Sequence, residues 1–268
     1  MLSRLKQVIQ HKIYGTALRD KKPALPPTDD ELREIILNKR LNHLAIVPFG
    51  NTKWALERGL DRFEGRSRVG TLLPEILIEA WRLGIHTVTV AAVSKDGFKR
   101  DAVDLSNGFE VLQAVLKNVY PMLLHMKVRL VHKGNKDRLP ESLVKILQMI
   151  EKETAFNAKH FLNFCIDYSA HDEMERSFQR LLARGITTPE QVREIAVYRS
   201  SDTGNQLYPN PDFIIRTGKV YRLSDFALWQ TASSELYFPP KHFPDFTKDD
   251  LRAAIVEFGG RVRSYAGD

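Results

Sequence analysis

The residues of this sequence that most clearly suggest a chemical function are arginines that follow predicted strands. In the segment NPDFIIRTGKVYRLSDFALWQTASSELYF, residues 210–238, a buried strand carries Arg216 at its carboxyl end. A turn containing Gly218 follows, and Arg222 and Ser224 stand at the predicted start of the next helix. Two guanidinium groups and a hydroxyl that converge there would suit a diphosphate, because arginine binds phosphate oxygens bidentately.

An acidic side chain follows on the same predicted helix. Glu235 lies eleven residues after Ser224, among apolar and small neighbours. A carboxylate in such surroundings is a candidate ligand for Mg²⁺, which prefers oxygen ligands. A carboxylate paired with a nearby arginine is an equally good interpretation of the sequence.

A second group of candidate residues lies in PFGNTKWALERGL, where a predicted strand ends and a helix begins. Gly50 is small and flexible, Asn51 and Thr52 are polar, and Lys53 is cationic. Backbone N–H groups at the start of a helix attract phosphate, and Lys53 would add a full positive charge. A Gly-Asn turn without any ligand is the alternative interpretation.

Two further loops add positive charge near predicted strand ends. In DRFEGRSR three arginines lie close together, Arg62, Arg66 and Arg68, and SKDGFKR runs from Ser94 to Arg100. Taken one at a time, these would be solvated surface side chains. Because several basic loops follow strands, the sequence favours an anion-binding site at the strand ends.

The elements that must position these residues alternate between strands and helices. Apolar or β-branched runs predict strands, and apolar residues at helical spacing predict helices. Strands are predicted at residues 43–48, 86–93, 128–132, 161–167 and 213–216, and longer helices at 28–39, 71–83, 105–126, 141–156, 172–183, 224–234 and 248–258. This alternation predicts an α/β fold with a parallel sheet covered on both faces.

The composition excludes several classes of protein. The chain has 268 residues, 43% of them hydrophobic and 27% charged, as in a soluble globular protein, and no apolar run approaches the roughly eighteen residues of a membrane span. The single cysteine, Cys165, is expected to be a buried thiol in a reducing cytoplasm. The net charge of +7 favours anionic partners, but no basic run with interleaved aromatics indicates nucleic acid.

We expect one principal domain, residues 41–268, after an N-terminal helical leader, residues 1–40. The leader lacks the features of a signal peptide. Its apolar residues lie loosely on one helical face, which would suit a membrane surface or packing against its own domain or a partner. Thr28 and Glu31 form the pattern of a capping box at the start of helix 28–39.

These segments together resemble the cis-prenyltransferase family, that of undecaprenyl diphosphate synthase, from about His43 to Gly267. IIRTGKVYRLSDFALWQTASSELYF is the most specific stretch, GNTKWALERG and VSKDGFKR match in part, and FPDF followed by RVRSYAG is similar to the family's ending. The resemblance implies extension of an allylic diphosphate with isopentenyl diphosphate. It also implies a homodimer and a single domain with a central six-stranded parallel sheet flanked by helices, enclosing an apolar tunnel lined by helices 71–83 and 105–126.

The resemblance assigns roles to residues by position. Those that match the isopentenyl diphosphate site are Arg216, Arg222 and Ser224, and Glu235 matches a magnesium ligand. Those that match the allylic diphosphate site are Gly50, Asn51, Thr52, Lys53, Arg62, Arg66 and Arg100. The residues expected to be catalytic are Asn51, Arg62, Ser94 and Arg100.

Departures from the family pattern surround the reacting groups. Phe49 stands where the family has its catalytic aspartate, and a phenyl ring cannot bind magnesium. The other replacements are Lys53 for arginine, Arg66 for histidine, Gly97 for asparagine, Phe98 for tryptophan, Asp167 for asparagine, Val220 for an acid and Tyr221 for histidine. The sequence therefore predicts that the residues that bind diphosphate are retained, while metal-assisted ionisation of the allylic diphosphate is altered or lost.

Three functions are compatible with this pattern. The preferred one is a prenyltransferase-like enzyme acting on allylic or isopentenyl diphosphates with a non-standard condensation, cyclisation or acceptor, with Mg²⁺ held at Glu235. The second is a non-catalytic homologue that binds prenyl diphosphate or partners an active subunit. The third is an ordinary linear cis-polyprenyl diphosphate synthase, in which Asp96, Asp167 or Asp225 reaches the metal.

Overall fold

A computed structural model of the protein describes residues 26–188, 190–191 and 208–262. Most of the predicted leader, including the segment expected to suit a membrane surface, lies outside these residues. None of the helices in the described ranges is long and apolar enough to cross a membrane.

Six parallel strands form the central sheet, and this confirms the predicted α/β fold. They are β1 His43–Val47, β2 Thr87–Ser94, β3 Val128–Lys133, β4 His160–Tyr168, β5 Phe213–Arg216 and β6 Glu235–Tyr237. Their order across the sheet is β3-β4-β2-β1-β5-β6. The first five lie where the sequence pattern predicted strands, whereas β6 falls at the end of a predicted helix.

The helices flank the sheet and alternate with its strands along most of the chain. They are α1 Asp29–Asn38, α2 Asn51–Leu56, α3 Arg62–Arg82, α4 Ala102–His125, α5 Glu141–Glu153, α6 Ala170–Ala183 and α7 Lys248–Gly259, with short 3₁₀ turns at Lys95–Lys99 and Phe243–Asp245. The Thr28 capping box at the start of α1 is confirmed. α1 contacts α7, so this part of the predicted leader packs against the domain.

The main hydrophobic core lies against one face of the sheet. Ile46, Val90 and Phe164 are at most 1% exposed there and pack with apolar residues of α1, α3, α4, α5 and α7. A smaller buried cluster, which includes Val47 and Cys165, contains neighbouring strand residues that point to the opposite face. The expectation that Cys165 is a buried free thiol is confirmed.

Helix α3 begins at Arg62 rather than at residue 71, where its apolar period becomes visible in the sequence. Asp61 caps it by accepting a hydrogen bond from the Phe63 backbone N–H at 2.8 Å. The segment DRFEGRSR is therefore the cap and first turns of a helix and not a loop. Arg62, Arg66 and Arg68 consequently occupy fixed positions along one helix.

The predicted helix 224–234 is wrong, because the chain forms turns there instead. Ser224, Asp225 and Ala227 adopt left-handed backbone angles, with φ of 53°, 57° and 46°. The apolar spacing that suggested a helix arises because Phe226 and Ala227 fill the smaller hydrophobic cluster. Tertiary contacts have overridden the local pattern.

A group of ion pairs joins α1, α3 and α7. Glu79, which is 5% exposed, accepts hydrogen bonds from Arg82 at 3.0 Å and from Arg252 at 2.6 Å, and both arginines also contact Asp29. We expect Glu79→Ala to lower the free energy of unfolding by about 1–3 kcal/mol, because two partly buried guanidinium groups lose a partner. Denaturant unfolding measures this.

The contacts of Glu79 with the two arginines also make the free energy of unfolding depend on pH, with a defined sign. Burial alone would raise the pKa of Glu79, but hydrogen bonds from Arg82 and Arg252 outweigh burial and lower the pKa. The stabilisation is therefore complete near neutral pH and is lost as the pH falls below about 4. Glu75→Ala, an exposed control on the same helix, should change stability by less than about 0.5 kcal/mol. An equal loss of stability in both variants would contradict the stabilising role of the Glu79 ion pairs.

Candidate anion-binding site at the carboxyl edge of the sheet

A large open cavity lies where the central strands end. Its volume is about 450 Å³, and it is lined by the turn after β1, the end of β2, the end of β5 and the turn containing Ser224. Apolar side chains from α3 and α4 extend the lining, among them Val69, Val111 and Leu112. The cavity thus joins a polar mouth at the sheet edge to an apolar region between two helices, where the tunnel was predicted.

Arg216 is the most unusual residue of this cavity. It is 1% exposed, and its Nε and Nη1 atoms find no hydrogen-bond partner among the described residues. Burial lowers its pKa, and the positive charge of Arg222 lowers it further. A buried guanidinium with free donors is costly unless an anion pairs with it, so the site is built for an anionic ligand.

Phe49 stands directly beside this arginine. The Arg216 guanidinium carbon lies 4.9 Å from the centre of the Phe49 ring, which is 41% exposed. The Phe49 backbone is fixed by Thr217, whose hydroxyl accepts from the Phe49 N–H at 3.0 Å and donates to the Phe49 carbonyl at 2.9 Å. A cation–π contact holds the guanidinium in place without neutralising its charge.

Two glycines allow the turns after β1 and β5 to touch. Gly50 has φ of 97° and Gly218 has φ of 95°. A Cβ at Gly50 would lie 2.3 Å from Nδ1 of His242 and 2.8 Å from the Gly218 Cα. Only glycine fits this approach, which keeps Phe49 and Arg216 adjacent.

The first loop contributes polar groups as predicted. Asn51, Thr52 and Lys53 line the cavity and form the first turn of α2. The Asn51 Oδ1 atom is buried and has no hydrogen-bond partner within the described ranges, while the Asn51 Nδ2 donates to the Pro48 carbonyl at 3.0 Å. Lys53 is 64% exposed at its side chain and lies 3.8 Å from Glu57, so it remains available to a ligand.

Of the four arginines on the neighbouring elements, Arg66 and Arg100 line the cavity, whereas Arg62 and Arg68 do not. Arg100 lines the cavity, and partial burial followed by the charge of Arg66 lowers its pKa. Arg66 lines it too but is bound to Asp104, through Oδ2 at 2.6 Å and the carbonyl at 2.8 Å. The hydrogen bond from Arg66 lowers the pKa of Asp104, and the charge of Arg62 adds to this effect, but Arg62 is absent from the lining. Arg68 donates elsewhere, to the Pro244 carbonyl at 2.8 Å.

The segment after β5 places its residues unequally. Ser224 lines the cavity together with Arg216, and Arg222 is exposed and donates from Nε to the Ser224 hydroxyl at 3.1 Å. Ser94, at the end of β2, also lines the cavity. The structure therefore brings together nine of the predicted residues: Gly50, Asn51, Thr52, Lys53, Arg66, Ser94, Arg100, Arg216 and Ser224.

Glu235 does not join this group within one chain. It is the first residue of β6 and pairs in register with Phe213, at the amino end of β5, whereas Arg216 is at the carboxyl end. Its carboxylate accepts a hydrogen bond from Arg261 at 2.7 Å. Within the described residues, Glu235 is therefore a carboxylate paired with an arginine, which was the alternative interpretation of the sequence.

The other carboxylates considered for a metal are also engaged. Asp96 pairs with Lys99 at 2.6 Å, and the buried Asp167 binds Arg138, with Nε 2.9 Å from Oδ2. Asp225 lines the cavity, but its oxygens are bonded to residues at the start of α6. Among the described residues there is no group of three metal-ligating side chains. The carboxylates of a single chain thus do not fit a magnesium ion beside Phe49.

Replacements near the predicted reaction centre form contacts of their own. Phe98 packs against Phe109, with ring centres 5.7 Å apart, and under the Arg138 guanidinium at 4.3 Å. Tyr221 packs against Phe238 at 5.5 Å. Neither Phe98 nor Tyr221 is among the residues that line the cavity.

Sequence reasoning missed Thr217 and Asp104 as parts of the site, and it considered Asp225 only as a residue that could reach the metal. Thr217 follows Arg216 directly, and a hydroxyl next to a strand-end arginine was the available signal. Asp104 lies in the first turn of the predicted helix after the basic segment that ends at Arg100, and an acid so close to several arginines was the available signal. The position of Asp225 in a turn was not predicted, because the sequence pattern had been interpreted as a helix over residues 224–234.

A family model described as putative undecaprenyl diphosphate synthase matches residues 47–266 of the chain. Isoprenyl transferase 2 of Bradyrhizobium diazoefficiens is 35% identical over 231 residues, which cover 84% of this chain and 90% of that protein. Dehydrodolichyl diphosphate synthase 1 of Arabidopsis thaliana is 33% identical over 241 residues, 87% of this chain and 79% of that protein.

Among solved structures, one similar fold is that of lavandulyl diphosphate synthase from Lavandula x intermedia, in complex with dimethylallyl diphosphate. The two folds superpose with a TM-score of 0.80 at 29% sequence identity, covering 85% of this chain and 99% of that one.

Proposed function

Because the chain belongs to the cis-prenyltransferase family, that of undecaprenyl diphosphate synthase, we propose that it transfers prenyl groups between isoprenoid diphosphates by a reaction other than linear chain elongation. The observation that carries this proposal is the contact between Phe49 and Arg216. A buried arginine with free donors is retained, while an aromatic ring stands where the family has an aspartate. Substrate binding is thereby kept and the ionisation step is changed.

The cavity has the charge to hold two diphosphate groups. Arg216, with Arg222 and Ser224, would bind one of them through charge-assisted hydrogen bonds. Lys53 and Arg100 would bind the other, which is the allylic diphosphate, helped by the turn at residues 50–52. Among the described residues, Asp225 is the one acid in the cavity lining, and its oxygens are bonded to Ser169 and His171.

The chemistry follows from this placement. The C–O bond of the allylic diphosphate breaks, and its electron pair leaves with the diphosphate. The π electrons of a second substrate attack the allylic cation and a C–C bond forms, and the released diphosphate takes up the proton whose loss restores a double bond. Arg100 and Lys53 would stabilise the charge that develops on the leaving diphosphate. The apolar lining from α3 and α4 would keep water away from the cation.

Magnesium has no step in this scheme, because the carboxylates of the described residues do not fit an ion beside Phe49. The resemblance to a lavandulyl diphosphate synthase that binds dimethylallyl diphosphate supports a short allylic diphosphate as the substrate. Chain length and acceptor follow from the shape of the apolar region between α3 and α4.

A homodimer is part of the proposal. Large apolar side chains are left exposed on α6 and on the turns that contact it, namely Phe178, Leu182, Leu228 and Trp229. A second copy of the chain would cover them. The cytoplasmic location and the contact of the leader with a membrane surface stay predictions from the sequence.

The absence of a carboxylate at Phe49 also favours a second candidate function. A non-catalytic member of the family would keep the arginine grip to bind prenyl diphosphate, or to support an active partner subunit. The two candidates agree on binding and differ on turnover.

Incubation of the purified protein with allylic diphosphates tests the proposal. Dimethylallyl, geranyl, farnesyl and geranylgeranyl diphosphates are supplied separately, with and without isopentenyl diphosphate and Mg²⁺, and the products are identified by mass spectrometry. We expect branched, cyclic or otherwise non-linear products from a short substrate. Linear polyprenyl products would contradict the proposed chemistry, and tight binding without turnover would favour the non-catalytic candidate.

A further inference from the structure

The turn that carries Ser224 has a backbone that needs external support. Ser224, Asp225 and Ala227 all have left-handed angles, with φ of 53°, 57° and 46°. Non-glycine residues pay about 1–2 kcal/mol each for this conformation. Three such residues within four positions would relax to another conformation unless contacts elsewhere held them.

Asp225 makes those contacts with the start of α6. Its backbone carbonyl accepts from the Ala170 N–H at 3.0 Å. Its Oδ2 atom accepts from the Ser169 hydroxyl at 2.6 Å, and its Oδ1 atom lies 2.6 Å from Nδ1 of His171 and 3.3 Å from the His171 N–H. Four contacts to three successive residues fix both the backbone and the side chain of Asp225.

The direction of its carboxylate decides between two roles. A carboxylate that pointed into the cavity would pair with Arg216 or Arg100 and compete with an anionic ligand. Both oxygens of Asp225 are instead directed at Ser169 and His171, where the positive end of the α6 helix dipole favours negative charge. The acid therefore holds the turn without weakening the positive charge of the site.

The contacts of the next residues continue the same anchoring. Phe226 is 4% exposed and packs against Tyr168, with ring centres 6.0 Å apart. Ser224 is thus held between an anchored Asp225 on one side and Arg222, which donates to its hydroxyl, on the other.

We propose that Asp225 is a positioning residue that fixes Ser224 and Arg222 in the geometry needed to share one diphosphate with Arg216. This inference rests on the proposed function, since it assigns a role within the same site. It adds a residue that neither ligates the diphosphate nor takes part in the reaction, and it makes the start of α6 part of the binding machinery.

Substitution of Asp225 tests this positioning role, because it should lower the affinity for one of the two diphosphates much more than the affinity for the other. Asp225→Ala should weaken isopentenyl diphosphate binding, measured by calorimetry, by about tenfold or more, because the hydroxyl and guanidinium donors are no longer held in place. Dimethylallyl diphosphate, the probe for the Lys53 and Arg100 position, should bind within about threefold of wild type. Asp225→Asn should restore most of the lost affinity, because an amide can accept from Ser169 and donate to a neutral His171.

Matched variants separate the possible failures. Glu175→Ala, on the exposed side of α6, is the control and should leave both affinities unchanged. Wild-type protein that binds neither diphosphate would overturn the proposed function itself. Wild-type binding that Asp225→Ala leaves intact would overturn only the positioning role. Equal loss of both diphosphates in Asp225→Ala and Asp225→Asn, with a lower melting temperature, would also overturn it, because it would show a general structural defect.

Discussion

Arg216→Met is expected to lower the affinity for isopentenyl diphosphate about a hundredfold or more while leaving the melting temperature unchanged or raised. The guanidinium is buried, and two of its nitrogens have no hydrogen-bond partner among the residues that the structure describes. A bidentate arginine–phosphate contact formed away from water is among the strongest polar interactions in proteins, so its removal has a large effect on binding. A methionine of similar length would fill the space and remove an uncompensated charge, which favours the folded state.

Calorimetry and thermal unfolding on the same samples measure the two effects. Arg216→Lys is the matched variant, because it keeps the charge and loses the planar fork. We expect it to bind diphosphate with intermediate affinity. Wild-type affinity in Arg216→Met would mean that the diphosphate lies elsewhere, and the site described above would then be wrong.

Phe49→Asp is expected to make diphosphate binding depend on Mg²⁺. The Phe49 ring lies 4.9 Å from the Arg216 guanidinium carbon, so a carboxylate at this position would pair with the free donors of Arg216. Without metal the diphosphate must displace that carboxylate, and its affinity should fall about tenfold or more. With Mg²⁺ the carboxylate and the diphosphate can share the ion, and binding should recover together with faster ionisation.

The quantity to compare is the ratio of dissociation constants with and without Mg²⁺, because diphosphates also bind magnesium in solution. Phe49→Asn is the control, since it has a similar shape to aspartate and lacks the charge. Its ratio should match that of wild type. The same ratio in all three proteins would show that this position does not reach the diphosphate.

Much of the fold was predictable because it depends on patterns that the sequence displays directly. Strands β1 to β5 are short apolar runs, and in a parallel sheet covered on both faces such runs have few alternatives. The capping box at Thr28 and Glu31 is a local hydrogen-bond pattern, independent of distant residues. The convergence of Lys53, Arg100 and Arg216 follows from the rule that parallel strands end at the same edge.

The errors occur where distant contacts decide the structure. The helix predicted at 224–234 fails because Asp225 is fixed by the start of α6, a partner far away in sequence. Glu235 was placed near the site because that helix was assumed to carry it, and it instead begins β6. The spacing of Arg66 gave no indication that Asp104 would neutralise it, since that ion pair depends on how α3 packs against α4.

The release of inorganic diphosphate from dimethylallyl and geranyl diphosphates, followed over time with identification of the organic product, tests the central claim most directly. We predict release by the wild-type protein well above the rate in buffer, with a non-linear prenyl product, and loss of that release in Arg216→Met. Tight binding of both diphosphates without any release, in the presence or absence of Mg²⁺ and isopentenyl diphosphate, would contradict the assignment of this protein as an enzyme.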